Sequence, residues 1–479
     1  MPSEYTYIAM NRFGYGADRK SVKALARTSS LKDAQNWLLR QLTPYQLPAH
    51  SWSSAESITA YYHYKIQEKS EKESGAKQTQ MMQSQSNEMA MENYKVTRKG
   101  LIESSKSLAQ QTALANINHE QVLQSRLLDF FSNHFSVSRA NLAMTLIAPT
   151  LEVEAIAPNL TEHFSDMLKA VTQHPAMLLY LNNQQSVGPN SKLAVRQAKK
   201  KQKKVRGLNE NLAREILELH TLGVGSGYTQ DDVIELAKAI TGWSLGSVKK
   251  SETPGFKFKK QANEPGTHKV LGKTYPMPKA KAENEQGLRI LHDLAEHAAT
   301  AKHLSYKLAK HFIADTPSPA LVNSMQSTWM KSKGHIPSVM ETLIQHKDSW
   351  QIGSQKLKTP REFVISACRA CGVNKPSPNL YNTLEILGHG LFNAGSPAGY
   401  GDDQNTWLGA SALNSRIEWA NHFASVITKR KGSKREPADL ANFALGPLLN
   451  SDTLTYIKRA ESKQQALALL LMSPDFQRR

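Results

Sequence analysis

The chain has 479 residues, with 60 Lys and Arg against 41 Asp and Glu, giving a formal charge of +19 and an isoelectric point near 9.6. Hydrophobic residues at 40% and charged residues at 21% suit a chain that buries a sizeable core, and exclude a collagen-like or wholly disordered composition. A mean hydropathy of −0.49 with no apolar run near about 18 residues excludes a membrane-spanning helix, and two cysteines, Cys368 and Cys371, exclude a disulfide framework.

Met1 to Tyr7 lack the basic and apolar regions of a secretory leader. The expected compartment is therefore the cytoplasm as written, or the periplasm or exterior if a leader has been removed. Apolar residues recur at three- and four-residue spacing along most of the chain, without long alternating stretches. The expected fold class is all-α, a large multi-helix assembly with a projecting arm and irregular Gly- and Pro-rich loops. N-terminal helices are expected over 1–62, a low-complexity helical arm or insertion over 63–122, a central helical core over 123–350 and a C-terminal helical region over 351–479.

The arm is rich in Gln, Ser, Lys, Glu and Met, which suits either a long helix pair or a flexible tip. Within the core, Arg126, Asp129 and Asn133 share one helical face, while His134 points nearer Leu127 and Phe131. A histidine among aromatic residues is more often a satisfied core residue than a ligand. Further on, Lys192 to Arg206 is strongly basic, with Lys199, Lys200 and Lys201 in a row. Such a run is usually a solvated loop, and the competing reading is salt-sensitive binding of a polyanion. Nucleic acid is a candidate partner without a recognised motif.

The densest polar pattern is Gly207 to Gly223. On a helix, Asn211, Arg214, Glu215 and Glu218 fall on one face, with Leu208, Leu212, Ile216 and Leu219 beside it. Intrahelical pairs from Arg214 to Glu210 and Glu218 are the plain explanation. Glu215 and Glu218, one turn apart, could instead hold a divalent cation or act as acid and base in a polar cavity. His220, two positions after Glu218, points elsewhere on a regular helix. Gly223, Gly225 and Gly227 follow a helix rather than a strand, so they are no nucleotide loop. Thr229 to Asp232 reads as a capped helix start. The apolar positions Leu291, Leu294, Ala298, Ala301, Leu304 and Leu308 form one stripe, and 254–278 reads as an irregular loop. Cys368 and Cys371 sit in a helix after Pro360, where buried thiols are the better reading than zinc ligands. Asp402 and Asp403, before Trp407, could line a pocket or form a turn.

Asn11 to Gly16, Asn133-His134-Phe135, Pro175 to Leu181, Gly207 to Val224, Thr241-Gly242-Trp243, Lys356 to Pro360, Ser396 to Tyr400 and Ser473 to Arg479 together resemble the bacterial domain-of-unknown-function 1800 family. The resemblance spans nearly the whole chain, with Gly207 to Trp243 its most specific part. It implies a largely helical bacterial protein without an established activity. Relatives are often exported and encoded near sulfatase-like proteins, which suggests envelope or extracellular polymer biology. Asn182 stands where relatives often carry aspartate and Asn263 where histidine is expected, which weakens a metal or acid/base role at either position.

Two functions compete. One is a metal-assisted hydrolase for an anionic polymer or ester, with Glu215, Glu218, Arg214 and His134 as catalytic candidates, Asn133 and Asn211 as binding residues, and a divalent metal ion as candidate cofactor. The other is a non-catalytic helical scaffold that binds polyanions or a partner protein through basic loops such as Lys199 to Lys201.

Overall fold

The computed structural model describes residues 3–25, 30–47, 52–75, 97–199, 207–248, 252–278, 284–351, 353, 356–376, 379–430 and 435–479. Helices dominate these residues, and the only sheets among them are two antiparallel pairs of three-residue strands. Among the described residues no helix is long and apolar enough to cross a membrane.

Two apolar cores organise the helices. The first gathers Leu123, Leu127 and Phe131 of the Val122–His134 helix with Leu304, Leu308 and Phe312 of Ala298–Phe312 and Trp329 of Pro319–Ser332. The second joins Phe363 and Val364 of Pro360–Cys371 to Phe423 of Ala410–Lys429, and to Leu470 and Leu471 of Lys463–Met472. The Arg98–Asn118 helix belongs to both, contributing Leu101 to the first core and Ala109, Ala113 and Ile117 to the second. It packs on Leu142–Leu151, as does the Ser54–Gly75 helix. The expected helix pair therefore lies along the body, and the intervening residues 76–96 are outside the described part.

Helix starts follow the capping signals in the sequence. Thr229 and Asp232 form a reciprocal capping box for Gln230–Ala239, and Thr359 and Glu362 do so for Pro360–Cys371, with Pro360 at the first helical position. The stripe from Leu291 to Leu308 is divided between two helices, Glu285–Glu296 and Ala298–Phe312. They meet at His297, whose extended backbone breaks the helix and whose ring caps the second one. Spacing alone could not show that break, because the stripe keeps its period across it.

Within 254–278 the chain is more regular than an irregular loop. Phe256–Phe258 pairs with Trp243–Leu245, and His268–Val270 with Lys273–Tyr275. Leu271 and Gly272 both carry positive φ, at 50° and 77°, as a two-residue hairpin turn requires. Three-residue strands are too short to print an alternating pattern.

The segment Leu142–Leu151 continues through a wide π turn over Glu152–Ile156, and Asn211–Glu215 continues through another over Ile216–His220. Near the end of the sequence, Lys356 and Arg479 exchange backbone hydrogen bonds of 3.2 and 2.9 Å, and Lys358 N–H donates to the Gln477 carbonyl at 2.8 Å. This pairing brings Arg479 into the space between the two cores.

Candidate functional site

The Asn211–Glu215 helix places the acidic candidates on its outer side. Asn211 is exposed, and Arg214, Glu215 and Glu218 are half-buried. Arg214 lies 3.3 Å from Glu210 and 3.5 Å from Glu218, and it donates to Gln230 at 2.8 Å. The Tyr228 hydroxyl hydrogen-bonds Glu218. Burial, and next the Glu218 charge, push the Glu215 carboxyl above its ordinary range, with Arg214 opposing. Lys199 is exposed at the end of the Lys192–Lys199 helix, and Lys200 and Lys201 lie outside the described residues.

His134 turns the other way. Its Nε2–H donates to the His220 carbonyl at 3.2 Å, so Nδ1 is the acceptor that meets Lys307 Nζ at 2.9 Å. Burial first, then Lys307, His220 and His303, hold His134 well below the ordinary histidine range. The π turn swings His220 inward, where it is buried with its ring 5.1 Å from Phe135. Burial also lowers Lys307 to about 8. This cluster is a neutral histidine core crossed by one lysine.

The polar face of Val122–His134 meets a different set of partners. It closes one side of a cavity of about 80 Å³ whose other walls are Ala298–Phe312, Pro360–Cys371 and the loop from His389 to Trp407. Asn133, among the described candidate catalytic and binding residues, lines it, and so does Asp402. The Asn133 amide clamps the loop at two points, donating to the Tyr400 carbonyl at 2.9 Å and accepting from Tyr400 N–H at 2.8 Å. Gly399 makes the approach possible. It has φ +78°, and a Cβ there would fall 2.4 Å from the Asn133 carbonyl oxygen.

Asp402 and His311 face one another in the cavity wall. His311 Nδ1 donates to Asp402 Oδ2 across 3.1 Å, and its Nε2 accepts from Arg126 at 3.1 Å, which fixes the ring as neutral. Burial lowers His311 to about 3. His311 and Lys356, 3.5 Å away, hold the Asp402 carboxyl well below its ordinary range despite burial. Arg126 pairs with Glu362, and Glu362 also takes Arg479 at 3.0 Å. Arg479 Nη2 donates in turn to the His311 carbonyl at 2.7 Å.

On the opposite side Arg361 lies 2.6 Å from Asp129 and 4.0 Å from Glu152, and Tyr15 donates to Asp129. Burial raises the Asp129 carboxyl, and Arg361 and the Tyr15 hydrogen bond pull it back. His389 stacks on Trp407 with ring centroids 4.9 Å apart and meets Tyr400 edge-on at 4.6 Å. Burial, and next the Arg361 charge, lower His389 to about 3, and its buried Nδ1 has no hydrogen-bond partner among the described residues. A neutral imidazole, an ionised carboxylate and a guanidinium thus surround one small space.

The helical face of Arg126, Asp129 and Asn133 and the Asp402 pair were visible in the sequence. His311, Arg361, Glu362, His389 and Arg479 were not, since they come from four segments far apart in the chain. Thr359-Pro360-Arg361-Glu362 carried one usable signal, because a capping box that starts a helix with Arg-Glu brings two charges into an otherwise apolar stretch. Asn182 and Asn263 have structural bonds: the Asn182 carbonyl accepts from Asn209 at 3.2 Å, and the Asn263 amide donates to the Thr241 carbonyl at 2.9 Å. Among the described residues, no group of three or more His, Cys, Asp or Glu side chains is placed to hold a metal ion.

The sequence pattern of the family described as "Protein of unknown function (DUF1800)" matches residues 8–478. No curated protein and no solved structure matches the chain.

Proposed function

The chain belongs to the DUF1800 family, and we propose that it recognises a hydroxyl-bearing end group of a larger polymer or ester in the cavity between Asn133, Arg361, His389 and Asp402. The observation that carries this reading is the unpartnered, buried Nδ1 of His389. A buried ring nitrogen without a partner costs about 1–3 kcal/mol, which a ligand hydroxyl would recover whether the nitrogen accepts or donates. The same hydroxyl can accept from Arg361, since it both donates and accepts. Trp407 and Tyr400 supply ring faces for the carbon skeleton beside it. At about 80 Å³ the space is far below the ~300–1,000 Å³ that encloses a drug-sized ligand, so one end group enters and the rest stays outside.

Glucose and glucuronate serve as test probes by calorimetric titration. Binding of either to the wild type, lost in His389→Phe with the stacked ring retained, supports the reading. Heat that is identical in wild type and variant ends it.

A hydrolytic role for the same cavity is favoured by one observation. Asp129 and Asp402 both line it, and their carboxyls are displaced in opposite directions, upward and downward. Such a split is how one pocket comes to hold a proton donor and an ionised partner. Against it, His311 and His389 at about 3 are weak bases at neutral pH. Turnover of 4-nitrophenyl acetate that falls in Asp402→Asn would favour hydrolysis over recognition, and equal rates in both proteins would remove it.

A further inference from the structure

A second cavity, of about 170 Å³, opens at the far end of the second core and, among the described residues, shares no lining with the first. Its walls come from the ends of Pro360–Cys371 and Ala410–Lys429 and from the starts of Pro437–Leu445 and Lys463–Met472. Among the described residues, four cationic side chains line it, Arg19, Arg369, Arg435 and Lys463, and no carboxylate does.

Their charges are not equally available. Arg369 is saturated, since it pairs with Asp18 at 2.7 Å and donates to the backbone carbonyls of Gly16 and Ile117. Lys463 shares its charge with Glu436 at 2.5 Å on the open rim. Arg19 and Arg435 are different. Among the described residues neither has a carboxylate within ion-pair distance, and both are exposed. Arg435 is braced over the Phe443 ring, 3.9 Å from its centroid. Burial and then the Arg19 charge lower the Arg435 pKa, with Asp439 and Cys371 offsetting part of that. Two like charges therefore bear on each other across a concave surface. That arrangement is unfavourable when empty and becomes favourable when an anion sits between them.

We propose that this cleft binds a tetrahedral oxyanion, a phosphate or sulfate group, bridged by the guanidinium forks of Arg19 and Arg435 with Lys463 at the rim. Planar guanidinium groups donate two parallel hydrogen bonds to such oxygens, which a lysine alone cannot do. The group is either the free ion or the terminal group of a larger molecule, and the cleft is open enough to admit both.

Calorimetric titration of the full chain with inorganic phosphate and with phenyl phosphate tests the site at low ionic strength. Joint replacement Arg19→Gln and Arg435→Gln should weaken phosphate binding by about tenfold or more, as expected for lost charge-assisted hydrogen bonds. Lys302→Gln with Lys331→Gln removes the same net charge from exposed positions elsewhere and should leave the affinity unchanged. Tighter binding of phenyl phosphate would identify a group carried on a larger molecule, and tighter binding of inorganic phosphate the free ion. No phosphate binding by the wild type, or equal losses in the two double variants, would overturn the site in favour of diffuse attraction to a cationic chain.

Discussion

Arg479 Nη2 stands 3.0 Å from Glu362 Oε1, and both side chains are removed from solvent. Glu362 also receives Arg126, so one carboxylate compensates two buried guanidinium groups. Replacing it by Gln leaves both cations under-compensated, and the expected loss of stability is about 3–5 kcal/mol. By contrast Arg214, whose side chain is 38% exposed, should cost no more than about 1 kcal/mol when changed to Ala. Urea denaturation of the two variants measures this difference. Similar losses in both would show that the Glu362 network contributes no more than a surface ion pair.

Acid should destabilise the fold through its buried histidines. His220, His311 and His389 titrate at about 3 in the folded chain, against an ordinary value near 6.5. Between these values the unfolded chain binds more protons than the folded one, so stability falls as pH drops from about 6.5 towards 3. Melting temperatures across that range should decline, and His389→Phe should make the decline shallower. An unchanged slope in the variant would mean that His389 is protonated in the folded protein.

Lys358 acts on the alkaline side. Its buried ammonium lies 4.4 Å from the centre of the Phe476 ring and has no hydrogen-bond partner among the described residues. Burial, then Arg479 and Arg126, lower it to about 7 from an ordinary 10.5. The unfolded chain again holds the extra proton in that interval, so stability gains with rising pH between about 7 and 10. Lys358→Met should remove this gain and raise stability at pH 6, as followed by denaturation midpoints. A midpoint at pH 6 lower than that of the wild type would contradict it.

Gly399→Ala should dislodge the loop that carries His389, Trp407 and Asp402. The left-handed backbone alone costs a non-glycine residue about 1–2 kcal/mol, and the 2.4 Å approach to Asn133 adds to it. Sugar binding in the first cavity should disappear in this variant while phosphate binding at Arg19 and Arg435 persists. Loss of both would indicate general unfolding, which circular dichroism would register.

The all-α fold was legible because period and caps agree: Thr229 with Asp232, and apolar spacing through Val122–His134. The polar face of that same helix was visible as a spacing, without a sign of what it meets, and Asp402 was recognisable as a residue that could line a pocket. What stayed hidden depends on contacts between distant segments. Arg126 reaches Glu362 across 236 positions, and Asn133 reaches Tyr400 across 267. No local spacing encodes such meetings. Glu215 and Glu218 drew attention because charges on an otherwise apolar helix stand out, yet similar patterns arise wherever a half-buried helix meets water. His220 does point away from Glu218, and the widened turn that carries it into the interior left no mark in the spacing.

That widening at Ile216–His220 makes the interior sensitive to chain length. A π turn accommodates a single inserted amino acid without forming a loop. Excising one residue there would restore ordinary winding and rotate everything beyond it by about 100°. His220 would then leave the neighbourhood of His134, so length in this short stretch, more than residue identity, governs which imidazoles share the interior.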